Sequence, residues 1–323
     1  MKEHIDLFSL FLKLNGSTAM FAGEHQITPV SFLKMPLNSS TDLINKIQLL
    51  SQYINISFGF FLLFLGVIGN CLAMLTFLSF GHYKTNPISF YMLVKVVSDM
   101  IGILLGLTTR ILTEGFQIDW TSLGRIWCKL RRYLVTTDNT ISSCLFAVQS
   151  IDIFLCSSPC VSRRQISSIK TAHRMTIAII IFSILHSLPF LFYQNIVVLS
   201  TSDIVCTTTN TAYNQYQLYI LNIGIYVVFP VLFVCIFGML TYRNFHKSYL
   251  RHQRRILNGF IRQMILMYAC NAIILIIFDT PYGVIQLYLL LVNHWTRSNV
   301  QLAIEQLLNR FSTICFYGPY AVS

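Results

Sequence analysis

Charged residues are scarce in this chain. Only 11% of its 323 residues are Asp, Glu, Lys or Arg, against about 25% in soluble domains. The sequence also lacks the nucleophile-elbow, zinc-helix and phosphate-loop motifs of common enzymes, and it has no C-x-x-C zinc spacing. Its histidines are scattered without metal-ligand spacing. These absences exclude an ordinary soluble domain, and we expect neither an enzyme nor a metal site.

Acidic residues are missing from three of the connections between apolar stretches, namely 81–86, 157–174 and 243–262. Basic residues occur in all three. Because Lys and Arg stay in the cytoplasm during membrane insertion, we predict that these connections face inward and that the N-terminus lies outside. The net charge of +11 then reflects topology and contact with lipid head groups, and nucleic-acid binding is not expected.

Seven long apolar runs are what the chain does contain. Each has about 20 residues, the length that a helix needs to cross the hydrocarbon core, and the mean hydropathy is +0.62. Backbone amides find no water in lipid, so each run must be helical, and none alternates like a barrel strand. We therefore predict an all-α membrane protein, a seven-transmembrane helix bundle. The runs lie at 54–80, 87–112, 129–156, 175–194, 218–242, 260–292 and 299–320.

The N-terminal segment differs from the rest in composition. Residues 1–53 are polar and are predicted to form a flexible extracellular segment. Residues 54–323 are predicted to form the membrane domain, which ends at or within the seventh helix. Asn15 and Asn38 stand in N-x-[ST] triplets on the outer side. They are candidate glycosylation sites, although such triplets are frequent by chance.

Two of the nine cysteines differ from the others in position. Cys128 opens the third run on the outer side, and Cys206 lies in the outer connection between the fourth and fifth runs. Both face the oxidising compartment, where a disulfide persists. A bridge between them would pin that connection over the mouth of the bundle. The other cysteines are interpreted as small buried apolar residues or as thiols on the reducing side.

Taken together, these features resemble the rhodopsin-like (class A) G-protein-coupled receptors, and within them divergent invertebrate neuropeptide receptors. The resemblance covers about residues 54–323. It implies a multi-pass plasma-membrane receptor that is surrounded by lipid, binds an extracellular ligand and couples to a heterotrimeric G protein on the cytoplasmic side. Its landmarks are Gly69-Asn70, Asp99, the 24 residues from Cys128 to Asp152, Pro230 and Pro281.

Polar residues within the first three runs need partners inside the bundle. Asn70 and Asp99 fall near mid-membrane, and Ser142 lies at a similar depth on the third run. In the family, the matching Asp and Ser help to hold a sodium ion. Lys95 precedes Asp99 by one helical turn, so its ammonium competes for the same carboxylate. Three interpretations stay open, namely a Lys95–Asp99 pair, a sodium site near Asp99, or neither, and no other cofactor is expected.

Three prolines within the runs are predicted to act as kinks. Pro230 and Pro281 remove helix hydrogen bonds and bend the fifth and sixth runs. The resemblance implies that such kinks let the inner halves move when a ligand binds, whereas a static kink is the alternative. Pro319 either stands in for the family's Asn-Pro in the seventh run or marks an earlier kink.

The inner end departs from the family pattern. Where the family has Asp-Arg-Tyr, this chain has Asp152-Ile153-Phe154. Ile153 cannot make the contacts of that Arg with the G protein or within the resting state. If coupling does not survive the change, the chain is a non-coupling decoy receptor. The predicted cytoplasmic coupling surface comprises Asp152, Ile153, Phe154, Arg163, Arg254 and Arg255.

The ligand class is narrowed by two further departures. Val135 stands where amine receptors carry an Asp, and the seventh run has no Lys for retinal. The polar and aromatic mouth suits a peptide or a small polar chemosignal. Asp279 replaces the family's Trp in the sixth run, and a ligand contact, an internal pair and a lipid-facing group are all open for it. The pocket candidates are Arg131, Val135, Asp138, Asp279 and Glu305, although interfacial snorkelling is the alternative for Arg131.

A membrane transporter or channel is the alternative function. Charged side chains inside the bundle would then line a path for ions or protons. Transporters are often built from internal repeats. No repeat relates the two halves of this chain, and an odd number of runs does not suit a simple inverted duplication, so a receptor is favoured.

Overall fold

The structure, a computed structural model, describes residues 39–118, 124–198, 204–250, 259–292 and 297–322. Within these ranges the chain forms seven long helices, labelled α1–α7 in chain order, and one two-stranded sheet. The glycosylation candidates Asn15 and Asn38 lie outside the described residues, as do Arg254 and Arg255 of the predicted coupling surface.

The seven helices follow the seven predicted runs, and α1 to α6 are long and apolar enough to cross a membrane. The 17-residue α7 is less apolar because it carries Glu305 and Arg310. Short helices follow α3 at Val161–Ile166 and α7 at Gly318–Ala321. The bounds are α1 Ser39–Phe80, α2 Pro87–Gly115, α3 Arg125–Ser157, α4 Ile169–Tyr193, α5 Thr211–His246 with helical geometry continuing to Leu250, α6 Gly259–Val292 and α7 Asn299–Cys315.

Polar side chains in the connections fix several helix starts. Asn86 accepts a hydrogen bond from the amide of Ile88 ahead of α2, where Pro87 occupies the first turn. Asn210 and Ser298 cap α5 and α7 in the same way. Such caps satisfy amides that lack a partner within the helix. At the other end of α1, Gly81 adopts the left-handed conformation with φ 65°, which stops that helix.

The first helix begins well before the predicted start at residue 54. Residues 39–53 continue α1, so the boundary between the N-terminal segment and the membrane domain is not a change of secondary structure. The stretch contains no Gly or Pro. An exposed Asp42–Lys46 ion pair of 2.6 Å spans one turn of it. Polarity alone suggested a separate segment, but nothing in the local sequence interrupts the helix.

The outer surface of the bundle is apolar, whereas its interior contains both apolar clusters and many polar side chains. Large apolar side chains such as Phe61, Phe64 and Leu72 are exposed on its outer surface, as lipid contact requires. The helix α3 is the most enclosed, and its buried stretch 136–140 is polar throughout. Buried polar groups in lipid need partners from neighbouring helices, so α3 is the element around which the interior contacts are organised.

Two helices leave regular α geometry in their outer halves. In α2, residues Ile103–Leu107 and Ile111–Gly115 are π-helical, and in α5 the segment Gln217–Val228 is π-helical. Between α4 and α5 the chain forms a hairpin of β1 Gln194–Val198 and β2 Ile204–Thr208, paired antiparallel. Since π-helical segments are frequent at functional sites, these segments indicate a functional site between the outer halves of α2 and α5.

Candidate functional site

The outer end of the bundle is tied by a disulfide. Cys128 in the first turn of α3 is bonded to Cys206 of β2, with the two Cα atoms 5.8 Å apart. In the sheet, Cys206 pairs with Ile196 of β1. The bond therefore fixes the hairpin to the top of α3, as the sequence predicted. The hairpin and α3 together form one wall of a cavity.

This outer cavity has a volume of about 230 Å³ and lies beside the hairpin. Its lining is mostly polar and aromatic, and it draws on α2, α3, both strands, α5, α6 and α7. Ligand cavities of about 300–1,000 Å³ are typical, so this one suits a small molecule or one end of a larger ligand. The lining includes Arg110, Arg131, Arg132, Val135, Asn139, Gln194, Thr208, Gln217, Asn222, Tyr226, Tyr282, Gln286, Asn309, Phe316 and Tyr317.

Two of the predicted pocket residues, Arg131 and Val135, line the outer cavity. The placement of the others differs from the prediction. Asp138 lies below the cavity, where its Oδ1 accepts a 2.7 Å hydrogen bond from Ser98. Glu305 Oε2 accepts a 2.5 Å hydrogen bond from the guanidinium of Arg297, which lies just before α7. The partners of these two carboxylates, which the sequence alone did not reveal, hold them away from the lining.

A second, deep cavity of about 20 Å³ lies beneath the outer one. That volume accommodates about one water molecule. Asp279 lines this cavity, is only 4% exposed, and its Oδ1 has no hydrogen-bond partner among the described residues. Tyr226 and Phe316 line both cavities and are called the aromatic floor below. Of the three interpretations of Asp279, the buried position excludes the lipid-facing one.

The predicted polar core is assembled in the structure. Lys95 forms an ion pair with Oδ2 of Asp99, with side chains 7% and 0% exposed, and Ser142 donates to Oδ1 at 2.8 Å. Asn70 makes no hydrogen bond to this group within the described part of the chain. Its amide donates at 2.9 Å to the backbone carbonyl of Tyr320, after α7. These contacts join α1, α2, α3 and the end of the chain at mid-depth.

The described residues around Asp99 do not fit a sodium ion well. Both carboxylate oxygens are engaged, one by the Lys95 ammonium and the other by Ser142. A second cation there would face an ammonium in a poorly solvated interior, where like charges repel strongly. The geometry therefore favours the Lys95–Asp99 interpretation. Whether sodium acts on the protein stays a prediction.

Comparison with known protein families agrees with this arrangement. A profile of the 7 transmembrane receptor (rhodopsin family) matches residues 69–319, more than three quarters of the chain. The chain belongs to the rhodopsin-like family of seven-transmembrane receptors. No curated protein matches it significantly. The family consists of signalling receptors without enzymatic activity, located as multi-pass proteins at the plasma membrane, that respond to extracellular ligands through G proteins.

The three predicted kink prolines occupy different settings in the receptor. Pro230 lies two residues after the π-helical segment of α5, and Pro281 lies inside α6. Pro319 follows a turn that ends α7 and begins the short helix Gly318–Ala321. Each site lacks one backbone donor, which loosens the helix locally. Their role as switches stays a prediction.

The inner end of the receptor is closed by apolar packing. Ile153, which replaces the family's Arg, is 2% exposed within a cluster contributed by α1, α2, α3, α5 and α6. Its neighbour Phe154 packs against Phe237 of α5, and the exposed Arg163 lies 5.9 Å from the Phe154 ring. The members of this inner cluster are Phe77, Ile88, Met92, Val96, Phe146, Ile153, Val234, Tyr268, Ala272 and Leu275.

Asp152 has no basic partner in the described part of the receptor. It is 7% exposed, and its Oδ2 finds no hydrogen bond among the described residues. Neither Arg163 nor Arg164 pairs with it there. The ion pair with a neighbouring Arg, which the family pattern would supply, is therefore replaced by the packing of Ile153.

Sequence reasoning missed several lining residues of the outer cavity. Arg110 follows the first π-helical segment of α2, and Tyr226 belongs to that of α5. A π-helical turn holds an extra residue, so the side chains beyond it face a direction that regular spacing does not predict. The aromatic stretch at 316–320 was visible as a cluster of rings, but its contact with α5 and α6 depends on the fold.

Proposed function

We propose that this receptor binds an extracellular peptide or small polar chemosignal in the outer cavity and transmits the signal by movement of α5 and α6. The observation that carries the proposal is the aromatic floor, because Tyr226 and Phe316 line both cavities. A ligand that displaces this floor acts at the same time on the deep cavity beneath it, where Lys95 and Asp279 lie.

Ring contacts support a route from the floor to the two proline-containing helices. The Phe316 ring lies 6.0 Å from that of Tyr226 in α5 and 5.0 Å from that of Tyr282 in α6. Tyr226 precedes Pro230 by four residues, and Tyr282 directly follows Pro281. A small shift of the floor therefore reaches both helices near their weakest hydrogen bonding.

The inner cluster is the element that such a movement would change. Val234 of α5 and Tyr268 of α6 pack with Ile153 of α3, and the Tyr268 hydroxyl is hydrogen-bonded to Ser150 of α3. Separation of these contacts would open the inner end between α3, α5 and α6. The G protein would then bind at this opening, beside the surface that includes Phe154 and Arg163.

The experiment is ligand-stimulated nucleotide exchange on a panel of heterotrimeric G proteins, with the receptor in lipid bilayers and with peptide and small-molecule libraries as the source of ligand. A distance measurement accompanies it. Spin labels are placed at the exposed Val161 and Gln263, after replacement of the exposed Cys160, Cys235 and Cys270. We expect the label distance to increase with the same ligands that stimulate exchange.

A control pair at Val161 and the exposed Thr85 lies at the inner ends of helices other than α5 and α6, and its distance should not change. A ligand that binds without stimulating exchange or moving Gln263 would contradict the coupling half of the proposal. The receptor would then be a decoy, which is consistent with the replacement of the family's Arg by Ile153. Ion flux through the receptor in proteoliposomes would instead support a channel or transporter.

A further inference from the structure

Positive charge is concentrated at the outer cavity. Three arginines line it, Arg110 from α2 and Arg131 and Arg132 from α3. As far as the described residues go, no Asp or Glu belongs to the lining. Charged groups inside a membrane bundle are costly unless they are paired or serve a ligand, so the unequal distribution of charge needs an explanation.

Among the described residues, the acidic side chains near the cavity already have partners. Glu114 forms a 2.8 Å ion pair with Arg310 and lies 3.6 Å from Arg110, so its carboxylate is shared by two guanidinium groups. Glu305 is paired with Arg297. Asp138 is bound to Ser98 below the cavity. Arg110 and Arg310 therefore share the carboxylate of Glu114, and Arg132 forms no ion pair within the described part of the chain.

A hydrogen bond and a ring contact hold two of these arginines in position. Arg131 donates to the hydroxyl of Thr109 at 2.9 Å. The guanidinium of Arg132 lies 5.4 Å from the centre of the Phe190 ring. The Nε of Arg110 is buried and has no hydrogen-bond partner among the described residues. A guanidinium offers five N–H donors in a fixed plane, which suits a carboxylate or another oxyanion.

We infer that the ligand of the outer cavity carries an anionic group, of which a carboxylate is the simplest, and that Arg110, Arg131 and Arg132 bind it. This inference rests on the proposed function, because it names the chemical class of the ligand for the same cavity. At the described lining a cationic ligand would meet like charge, which costs several kcal/mol at a desolvated site. Tyr282, Tyr317 and the amide side chains of the lining contact the remainder of the ligand.

The cavity volume allows two sources of the same carboxylate. A small organic acid fits entirely within about 230 Å³, whereas a peptide would insert only its C-terminal residue. Both present the same group to the arginines. The experiment therefore includes one set of probes for each source, and it measures binding rather than signalling.

The test compares matched probes on the purified full-length receptor in lipid nanodiscs, with dissociation constants taken from ligand-observed NMR. The small-molecule set is 3-phenylpropionate, its amide and 3-phenylpropylamine. The peptide set is N-acetyl-Gly-Phe as the free acid and as the C-terminal amide. Charge-assisted hydrogen bonds predict that at least one acid binds about tenfold or more tightly than its amide, and that the amine does not bind. The set that shows the larger preference identifies the source of the carboxylate.

Variants connect the preference to the cavity. Arg110→Gln and Arg132→Gln should each reduce the preference for acid over amide by about tenfold, and R132K should keep part of it because the charge remains. The matched control is Arg125→Gln, an exposed arginine at the same end of α3 but outside the lining. It should leave the preference unchanged. Each variant is first checked for unaltered thermal stability, and the probe comparison on the unmodified receptor decides where a variant does not fold.

Three results would overturn the inference. Amides or the amine could bind as tightly as the acids, Arg125→Gln could weaken the preference as much as Arg132→Gln, or no probe of either set could bind at millimolar concentration. The proposed signalling function fails separately. An acid preference without nucleotide exchange would reject G-protein coupling and keep the anionic ligand class. Exchange stimulated by neutral or cationic ligands alone would reject the anionic ligand class and keep G-protein coupling.

Discussion

The outer and inner halves of this receptor are built on opposite principles. The outer half encloses a cavity lined by arginines, amides and tyrosines, and α2 and α5 are partly π-helical there. The inner half is closed by an apolar cluster around Ile153. The difference supports the proposal that polar groups at fixed positions recognise the ligand, while close packing maintains the resting state of the inner end.

The polar core lies between the two halves and connects them. Tyr320 illustrates this, because its backbone carbonyl accepts from Asn70 of α1 while its hydroxyl donates to Asn139 of α3 at 3.2 Å. Hydrogen bonds across helices help to hold membrane bundles together, since lipid offers no competing partner. Changes at this level should therefore affect both halves, and changes above or below it only one.

The largest effect is expected at the polar core. Lys95→Met removes the cation from the buried Asp99 and should lower the free energy of unfolding by about 3–5 kcal/mol, because a buried charge then lies unpaired. Thermal unfolding of the purified receptor measures this loss. The double variant Lys95→Met with Asp99→Asn should recover most of it. Replacing choline chloride with sodium chloride should raise the Tm of Lys95→Met only. An equal Tm of Lys95→Met in the two salts would contradict the idea that Lys95 competes with the ion.

The next effect concerns the outer half alone. Replacement of both Cys128 and Cys206 with Ser should destabilise the receptor by about 2–5 kcal/mol, because the cross-link closes a long loop. Binding of the acid probes should be lost with it, since the hairpin forms one wall of the cavity. The same change at the free, exposed Cys235 serves as the control. Retained probe binding in the double variant would show that the hairpin is not needed for the site.

At the inner half, Ile153→Ala should cost roughly 2–4 kcal/mol through the cavity it leaves, and Ile153→Val about 1 kcal/mol. If packing restrains the resting state, basal nucleotide exchange should rise in the same order. Probe binding at the outer cavity should change little. Equal basal exchange in both variants and the unmodified receptor would break the assignment of this restraint to Ile153.

The smallest effect is expected where α6 meets the end of α7. A Cβ on Gly318 would lie 2.5 Å from the ring of Phe278, so Gly318→Ala should cost about 1–3 kcal/mol by overpacking. Gly238 in α5 has open space around it, and its change to Ala should be neutral or slightly stabilising. Thermal unfolding of the two variants side by side checks this, and equal Tm values would argue against a tight contact.

Much of the fold could be predicted from the sequence. Apolar runs must be helical in lipid, so the existence and order of the seven helices follow from composition. The exception is α1, whose start at Ser39 lies 15 residues before the predicted one. Hydropathy reports where a helix meets lipid. It does not report where the hydrogen bonding of that helix begins, because a polar stretch such as 39–53 continues it without interruption.

The candidate site was predicted only in part. Spacing within one helix was sufficient to predict the ion pair of Lys95 and Asp99, because residues four apart share a face of the helix. Spacing within one helix could not predict the partners of Asp138 and Glu305, because these partners lie on another helix or in a loop. Arg110 was missed because the π-helical segment that precedes it in α2 alters the direction in which later side chains face. Contacts between elements cannot be read from the periodicity of one element.

By itself, the sequence determined that lipid surrounds this protein, how many helices it has and in which direction they cross the membrane. The reason is that the free energy of transferring backbone and charge into lipid depends on local composition. The tertiary structure decided which charges meet. It set three arginines around one cavity, enclosed Ile153 among apolar neighbours and joined Asn70 to Tyr320 across 250 residues. Such pairings depend on the approach of distant helices, which only the packed bundle specifies.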